Sequence, residues 1–271
     1  MTTPYHFKSG TSALLISIPH LGQEIPEDQL QTMTPAARTL VDTDWHLDQL
    51  YDFAHELGAS VLSARYSRYV VDLNRPPDDQ SLYPGQTKTG LCPTLTFRAE
   101  PLYLGADPDT PEIARRVETY WKPYHAKLAA EINRLKTLHA NVLLWEAHSI
   151  ASVLPRLFDG KLADLNLGTA SGKSAAGEVI DAVEKSLEGT EYTWVINGRF
   201  TGGYITRQFG DPARGIHAIQ LEMCQSTYME ETFPFGYRDD LAEGVKPVIR
   251  AMVMAALGQV TSRKHSVFPA R

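Results

Sequence analysis

Four apolar runs along the chain share one build. Residues 13–18 (Ala-Leu-Leu-Ile-Ser-Ile) end at Pro19 and His20, and residues 69–73 (Tyr-Val-Val-Asp-Leu) end at Asn74 and Arg75 before Pro76 and Pro77. Residues 142–145 (Val-Leu-Leu-Trp) lead to Glu146, Ala147 and His148, and residues 216–221 (Ile-His-Ala-Ile-Gln-Leu) lead to Glu222. Each run reads as a strand, because β-branched and aromatic residues suit a pleated, buried surface and proline or polar residues stop it. Each carries its polar chemistry at its C-terminal end. In open α/β sheets, ligands bind in the crevice beyond the carboxyl ends of the strands, so these four ends are expected to share one cleft.

The rest of the pattern alternates with these runs. Residues 35–58 hold apolar positions at roughly helical spacing, read as two helices broken near residues 42–44, with Asp44 close to a helix start. Residues 59–64 predict a short strand that forms a hairpin with 69–73 or lies beside it. Residues 76–108, rich in Pro, Gly and Thr, make a loop longer than an ordinary connection, and such loops are usually functional. A long amphipathic helix is expected over 111–139, opened by Asp109, Thr110 and Pro111 and bent at Pro123. Further strands are predicted at 163–167 and 193–196, with a helix at 174–187 between them. Gly202-Gly203-Tyr204 and residues 210–215 read as turns, 237–257 as a helix and 262–271 as a frayed tail.

With 271 residues and 43% hydrophobic content, the chain can bury a large core, and no linker-like stretch divides it. One α/β domain is expected, with its core at about 10–257. The net charge of -6 is spread without blocks, which argues against nucleic acid or an anionic membrane and for a small-molecule partner. Cys92 and Cys224 stand far apart, suggesting neither a disulfide framework nor a thiolate zinc site. A polar start and the lack of a long apolar run predict no signal peptide and no membrane helix, and a cytoplasmic setting follows.

His20 and His148 are the candidate metal ligands, since each follows a strand and neutral imidazole is a common zinc ligand. A three-ligand site still needs a carboxylate, and spacing does not choose between Glu24 and Asp44. Asp42 and Asp44 read equally well as helix caps. His46 reads as a surface residue or a partner behind a ligand, and stays outside the ligand set. Asn74 and Arg75 can grip a substrate carboxylate, because guanidinium offers two parallel donors; a salt bridge from Arg75 to Asp78 or Asp79 is the plainer alternative. Glu222 ends an apolar strand, where an ionised carboxylate is costly without a partner or a task, and it suits a general base. Arg199 and Arg207 precede that strand and can take a second carboxylate or a developing oxyanion.

Together, Ile18-Pro19-His20-Leu21-Gly22, Asp42-Thr43-Asp44-Trp45-His46, Asp72-Leu73-Asn74-Arg75-Pro76, Glu146-Ala147-His148-Ser149 and Gln220-Leu221-Glu222 resemble the N-formylglutamate amidohydrolase family. Residues 158–162, 166–169 and 202–207 resemble its histidine-degradation deformylases in particular. The resemblance implies a single domain with a mixed, mostly parallel sheet flanked by helices, phosphorylase/hydrolase-like and akin to zinc carboxypeptidases and aspartoacylases. It implies zinc or another divalent ion on His20, His148 and Asp44, since those relatives use His-x-x-Glu and here Gln23 stands in the acid's place. It further implies Asn74 and Arg75 on one substrate carboxylate, Arg199 or Arg207 on the other, and Glu222 as the base. The expected reaction is hydrolysis of N-formyl-L-glutamate. A hydrolase for larger N-acyl groups and a non-catalytic binder of acidic amino acids are the competing readings, and the oligomeric state is left open.

Overall fold

A computed structural model describes residues 2–81 and 89–262. Seven strands, β1 Tyr5–Lys8, β2 Leu14–Ile18, β3 Ser60–Ala64, β4 Val142–Ile150, β5 Leu165–Gly168, β6 Trp194–Ile196 and β7 Ile216–Cys224, form one sheet in the order β1-β3-β2-β4-β7-β5-β6. The four central strands β3, β2, β4 and β7 run parallel. Strand β1 pairs antiparallel on one side, and the parallel pair β5-β6 joins antiparallel through β5 on the other. The expected mixed, mostly parallel sheet is therefore present. Helices cover it: α1 Glu27–Leu30, α2 Pro35–Arg38, α3 Leu47–Leu50, α4 Thr110–Arg116, α5 Lys122–Leu138, α6 Gly177–Ser186, α7 Tyr204–Phe209 and α8 Asp239–Ser262.

The two-residue period of a strand sends alternate side chains to opposite layers. Leu14, Ile16, Ile18, Leu143, Trp145, Ile219 and Leu221 join the core under α3, α6 and α8, while Leu15, Val142, Leu144 and Ala218 join the one under α5 and α7. Both faces being covered, the central strands read as nearly continuous apolar runs. On the α5 and α7 side, each strand changes character toward its C-terminal end. Leu15 gives way to Ser17, Val142 and Leu144 to Glu146 and His148, and Ala218 to Gln220 and Glu222, all of them buried.

The long helix predicted over 111–139 is opened as expected, with Asp109 accepting from the Glu112 backbone N–H. Where a bend at Pro123 is expected, the helix widens into a π-helical turn at Val117–Trp121, just before the proline. Proline has no N–H to return to the carbonyl four residues back, and the wider turn absorbs that loss. The 35–58 segment breaks near residues 42–44 as predicted, though into the short pieces α2, α3 and a 3-10 turn at Asp52–Ala54. Cys92 and Cys224 are free and buried. Among the described residues, no helix is long and apolar enough to cross a membrane.

Residues 69–73 are not a strand, and β3 forms no hairpin with them; its partners are β1 and β2. The run is buried, but its carbonyls join no ladder: Asp72 O accepts the Arg75 N–H in a turn, and others go to side chains. Arg116 donates to Val70 O at 3.0 Å, His125 to Leu73 O at 2.8 Å and Trp121 to Arg75 O at 2.9 Å. The polar start contains β1, and the expected turn at 202–204 opens helix α7. Of the predicted tail, residues 263–271 lie outside the described residues.

His125 anchors this turn at a cost that depends on pH. Stacked on Trp121 with ring centroids 3.7 Å apart, it is pushed down by burial to about 4. The unfolded chain takes up the proton below about 6.5, whereas the folded chain does so only near 4. The stability that the neutral ring gives is therefore present above pH 6.5 and is lost as pH falls toward 4. Between pH 7 and 5 this single group is expected to remove about 2 kcal/mol. Urea denaturation of the wild type and of His125→Gln at both pH values checks it, and equal losses in the two proteins would contradict it.

Candidate active site

The polar strand ends meet segments from elsewhere in the chain. His20 lies two residues beyond β2, and its carbonyl accepts the Asp44 backbone N–H at 3.1 Å, fixing the break between α2 and α3 against the strand end. His148 and Glu222 are register partners on β4 and β7. The turn that carries Asp72, Asn74 and Arg75 is held by the side chains of α4, the π-turn and α5 just described.

His20, Asp44 and His148 form a buried group whose donor atoms lie within 4.8 Å of one another. Both histidines turn Nδ1 toward Asp44 Oδ2, at 3.6 Å from His20 and 3.0 Å from His148. Their Nε2 atoms are held from behind, His20 by Asp72 Oδ1 at 2.7 Å and His148 by Glu146 Oε1 at 3.0 Å. A carboxylate behind each ring fixes it and makes the other nitrogen a better donor. His20 Nδ1 and Asp44 Oδ1 are buried without a hydrogen-bond partner among the described residues. Two imidazole nitrogens and a carboxylate facing one point fit a divalent ion of borderline softness.

Burial and charge set the protonation of the cluster. Burial alone would raise Asp44, but the adjacent His20 and His148 hold it below the usual carboxylate range. Burial likewise works against charge on Asp72, and His20 and Arg68 outweigh it, holding that carboxyl well down. His148 is opposed by burial yet raised well above 6.5 by its bonds to Asp44 and Glu146. Glu222 behaves differently: burial pushes it up to about 8, with the negative charge of Asp44 adding to the rise while His148 opposes it. A carboxyl that readily holds a proton suits proton transfer.

The cleft above the cluster has a volume of about 80 Å³ and is lined by His20, His148, Asn74, Arg75, Arg199 and Glu222, all singled out in the sequence. Arg75 donates to Thr89 Oγ1 at 2.6 Å, while Asp78 and Asp79 accept from the backbone of Gln80 and Leu91. Arg199 donates to Leu157 O at 3.1 Å. Arg207 is not a lining residue; it turns to Gly202 O and Thr201 Oγ1. Glu24 is 53% exposed and pairs with Arg65, remote from the donor group. Asp42 caps nothing: it accepts from Tyr69 Oη and from the Phe97 backbone, and burial raises it to about 6. His46 Nε2 meets Phe235 O at 2.7 Å.

Sequence reasoning assigns no role to Arg68, Asp72, Glu146, Thr206 or Phe97. Arg68 lines the cleft, donates to Asp72 at 2.6 Å and lies 4.7 Å from the Phe97 ring centroid. The four-residue spacing of Arg68 and Asp72 was the available signal. The long 76–108 loop does reach the cleft, through Thr89 and Phe97; its residues 82–88 lie outside the described residues.

A mostly parallel α/β sheet with histidines, carboxylates and arginines gathered at its strand ends has the layout of an amidohydrolase, and residues 12–229 match the sequence model of the family N-formylglutamate amidohydrolase. The chain belongs to that family. It is 51% identical to an N-formylglutamate deformylase of Pseudomonas putida over 253 residues, covering 93% of this chain and 94% of the relative. It is 50% identical to one from Pseudomonas aeruginosa, covering 93% and 95%. The crystal structure of an N-formylglutamate amidohydrolase from Ralstonia eutropha JMP134 superposes with a TM-score of 0.78 at 25% identity, covering 96% of this chain and 97% of that one.

The cluster's ion pairs give a first test. Asp72→Asn takes from buried Arg68 its 2.6 Å carboxylate partner, leaving it Asp44 at 3.8 Å, and removes the charge facing His20; it is expected to cost about 3–5 kcal/mol, as broken buried pairs do. Glu24→Gln breaks only an exposed pair and should cost no more than about 1 kcal/mol. Urea midpoints of the two variants check the order, and comparable losses would contradict it.

Proposed function

We propose that the chain hydrolyses N-formyl-L-glutamate to formate and L-glutamate, as an enzyme of histidine degradation in the cytoplasm. The observation that carries this is half identity, over nearly the whole chain, to two proteins named N-formylglutamate deformylases. The cleft agrees in lining and charge. Its apolar walls, Ile150, Leu157 and Phe200, suit a small acyl group, and Arg68, Arg75 and Arg199 favour a dianionic substrate. A hydrolase of larger acyl groups is the second reading, and the ratio of formate to acetate released from the matching N-acylglutamates separates the two.

In this reading a divalent ion, zinc or a relative, is held by His20, Asp44 and His148. Such an ion supplies Lewis acidity, making water a stronger acid and polarising a carbonyl oxygen. Asp72 and Glu146 keep the Nε2 protons of the two histidines, leaving Nδ1 of each as the donor. Glu222 takes a proton from the attacking water and returns it to the amide nitrogen as the carbon–nitrogen bond breaks. That return is needed because an amine leaves poorly unless protonated. Arg75 and the Asn74 amide N–H hold one carboxylate of the substrate and Arg199 the other. Arg207 takes no carboxylate in this reading, since its guanidinium is turned to Gly202 and Thr201. Contacts remote from the formyl group give binding energy that orients the reacting carbon.

The order of a histidine after β2, an Asp-Leu-Asn-Arg segment, a later histidine and a late glutamate supports placing the fold with the zinc carboxypeptidases and aspartoacylases. The chain is read as one amidohydrolase domain with its core at about 10–257, and the partner is the small dicarboxylate rather than nucleic acid or membrane.

Formate release from N-formylglutamate by the purified, metal-supplemented protein tests the function directly; no release would refute it. Glu222→Gln is expected to keep fold and metal yet lower kcat by at least ~10²-fold. Near-normal turnover would remove Glu222 from the mechanism.

Arg75→Lys removes a two-pronged donor that lysine's point charge cannot copy, and is expected to cost about 1.5–3 kcal/mol in kcat/KM. The loss should shrink when the substrate's matching carboxylate is replaced by an amide. Equal losses with both substrates would return Arg75 to a structural role.

A further inference from the structure

Five residues from three segments, Glu146 and His148 on β4, Ile205 and Thr206 on α7 and Asn74 in the turn after residue 69, close a ring of contacts beside the cleft. His148 Nε2 meets Glu146 Oε1 at 3.0 Å, and Glu146 Oε2 accepts from Thr206 Oγ1 at 2.6 Å. Thr206 belongs to α7, whose Ile205 N–H donates to Asn74 Oδ1 at 3.0 Å. Asn74 Nδ2 lies 3.0 Å from His148 Nε2 and completes the ring. Thr206 and Glu146 are fully buried.

We propose that Thr206 and Glu146 are positioning residues for His148, so that helix α7 sets the geometry of the His20, Asp44 and His148 donor group. The proposal rests on the reading of that group as a metal site. An imidazole on a strand turns easily about its last torsion, and only a partner on its far nitrogen fixes the ring plane. Glu146 is that partner, but its carboxylate also turns about a broad terminal torsion. The Thr206 hydroxyl holds its second oxygen and so fixes the first.

Helix α7 is itself firmly placed. Gly203, at its N-terminus, donates to Gln220 Oε1 at 2.7 Å, and a Cβ there would stand 2.3 Å from the Asn74 amide nitrogen. Only a glycine lets the Asn74 amide sit this close and cap the helix. Asn74 accepts Tyr204 N–H on its carbonyl at 3.3 Å as well as Ile205 N–H on its side chain. The same residue thus faces the cleft, caps α7 and touches His148. Thr206 is not among the cleft-lining residues or the three donor residues, yet the affinity for the ion is inferred to depend on its hydroxyl.

The test uses metal-free full-length protein titrated with Zn²⁺ against a chromogenic chelator, with thermal unfolding of the metal-free form measured alongside. Thr206→Val is expected to weaken Zn²⁺ binding by about tenfold or more, the range found when partners behind a ligand are removed. Thr206→Ser, which keeps the hydroxyl, should stay within about threefold of wild type on the same scale. A lower unfolding temperature for Thr206→Val with Zn²⁺ affinity unchanged would mean a structural role only, and would overturn the proposal. Equal weakening in the Val and Ser variants would assign the effect to packing of the methyl group and overturn it too. Should Thr206→Val not fold, Glu146→Gln decides by the same titration: it has the same shape but no charge, and unchanged affinity sinks the proposal. Wild-type protein that takes up no stoichiometric Zn²⁺ refutes the metal reading itself, an outcome distinct from normal wild-type binding with an indifferent Thr206→Val.

Discussion

The site depends on one constraint: charges taken out of water must be given partners. Asp44, Asp72, Glu146, Glu222, Arg68, His20 and His148 are all buried at one end of the sheet. An isolated buried charge costs several kcal/mol, so an arrangement of this kind holds only where each group answers another. Asp44 stands within reach of His20, His148 and Arg68, and Asp72 bridges His20 and Arg68. Pairing at these distances needs rigid attachment: His20, Glu146, His148 and Glu222 sit on or just beyond strands, Asp44 is tied to the His20 carbonyl, and the turn that carries Asp72 is held by side chains of α4 and α5. The same strand face serves both purposes, apolar where it must hold the helices and polar where it must hold charge.

Much of this could be read in the sequence, for a physical reason. A parallel strand covered on both faces is a short apolar run, and a polar residue at its end is conspicuous, so His20, His148 and Glu222 stood out. Residues 69–73 had the same composition and were misread. β-branched content reports burial, and nothing in it tells whether the backbone is satisfied by a neighbouring strand or by Arg116, Trp121 and His125. Helix α7 was hidden for a related reason. Its N-terminal N–H groups are capped by Asn74, about 130 residues away in sequence, so the local text offers only two glycines. Spacing left Glu24 and Asp44 equal; the fold separates them because the Asp44 backbone is tied to the His20 carbonyl while Glu24 faces Arg65 at the surface.

The arginines illustrate how context decides the use of a side chain. Arg68, Arg75 and Arg199 line the cleft, but each is steadied by something different: a buried carboxylate and the face of Phe97, the Thr89 hydroxyl, and a backbone carbonyl. Two of these supports, Thr89 and Phe97, belong to the long 76–108 loop, and Asp42 pins Phe97 by accepting its N–H. The loop thereby acquires fixed positions at the points where it meets the cleft.

The π-turn at Val117–Trp121 sets the phase of the helix that follows it. In an α-helix each residue advances about 100° around the axis, so a residue inserted here with no compensating change of pitch would rotate all of α5 by that angle relative to α4. Trp121 and His125 now meet the Arg75 and Leu73 carbonyls, and Tyr124 meets Ser17 at 3.0 Å. After such a rotation none of the three would face its present partner, and a large part of the buried face of α5 would turn toward water. Substitutions in the turn can be accommodated one side chain at a time, whereas a change in its length must be absorbed by a change of pitch, as the wider π-turn itself absorbs a residue. The number of residues between Asp109 and Pro123 is therefore as much a part of the site as the residues that line it.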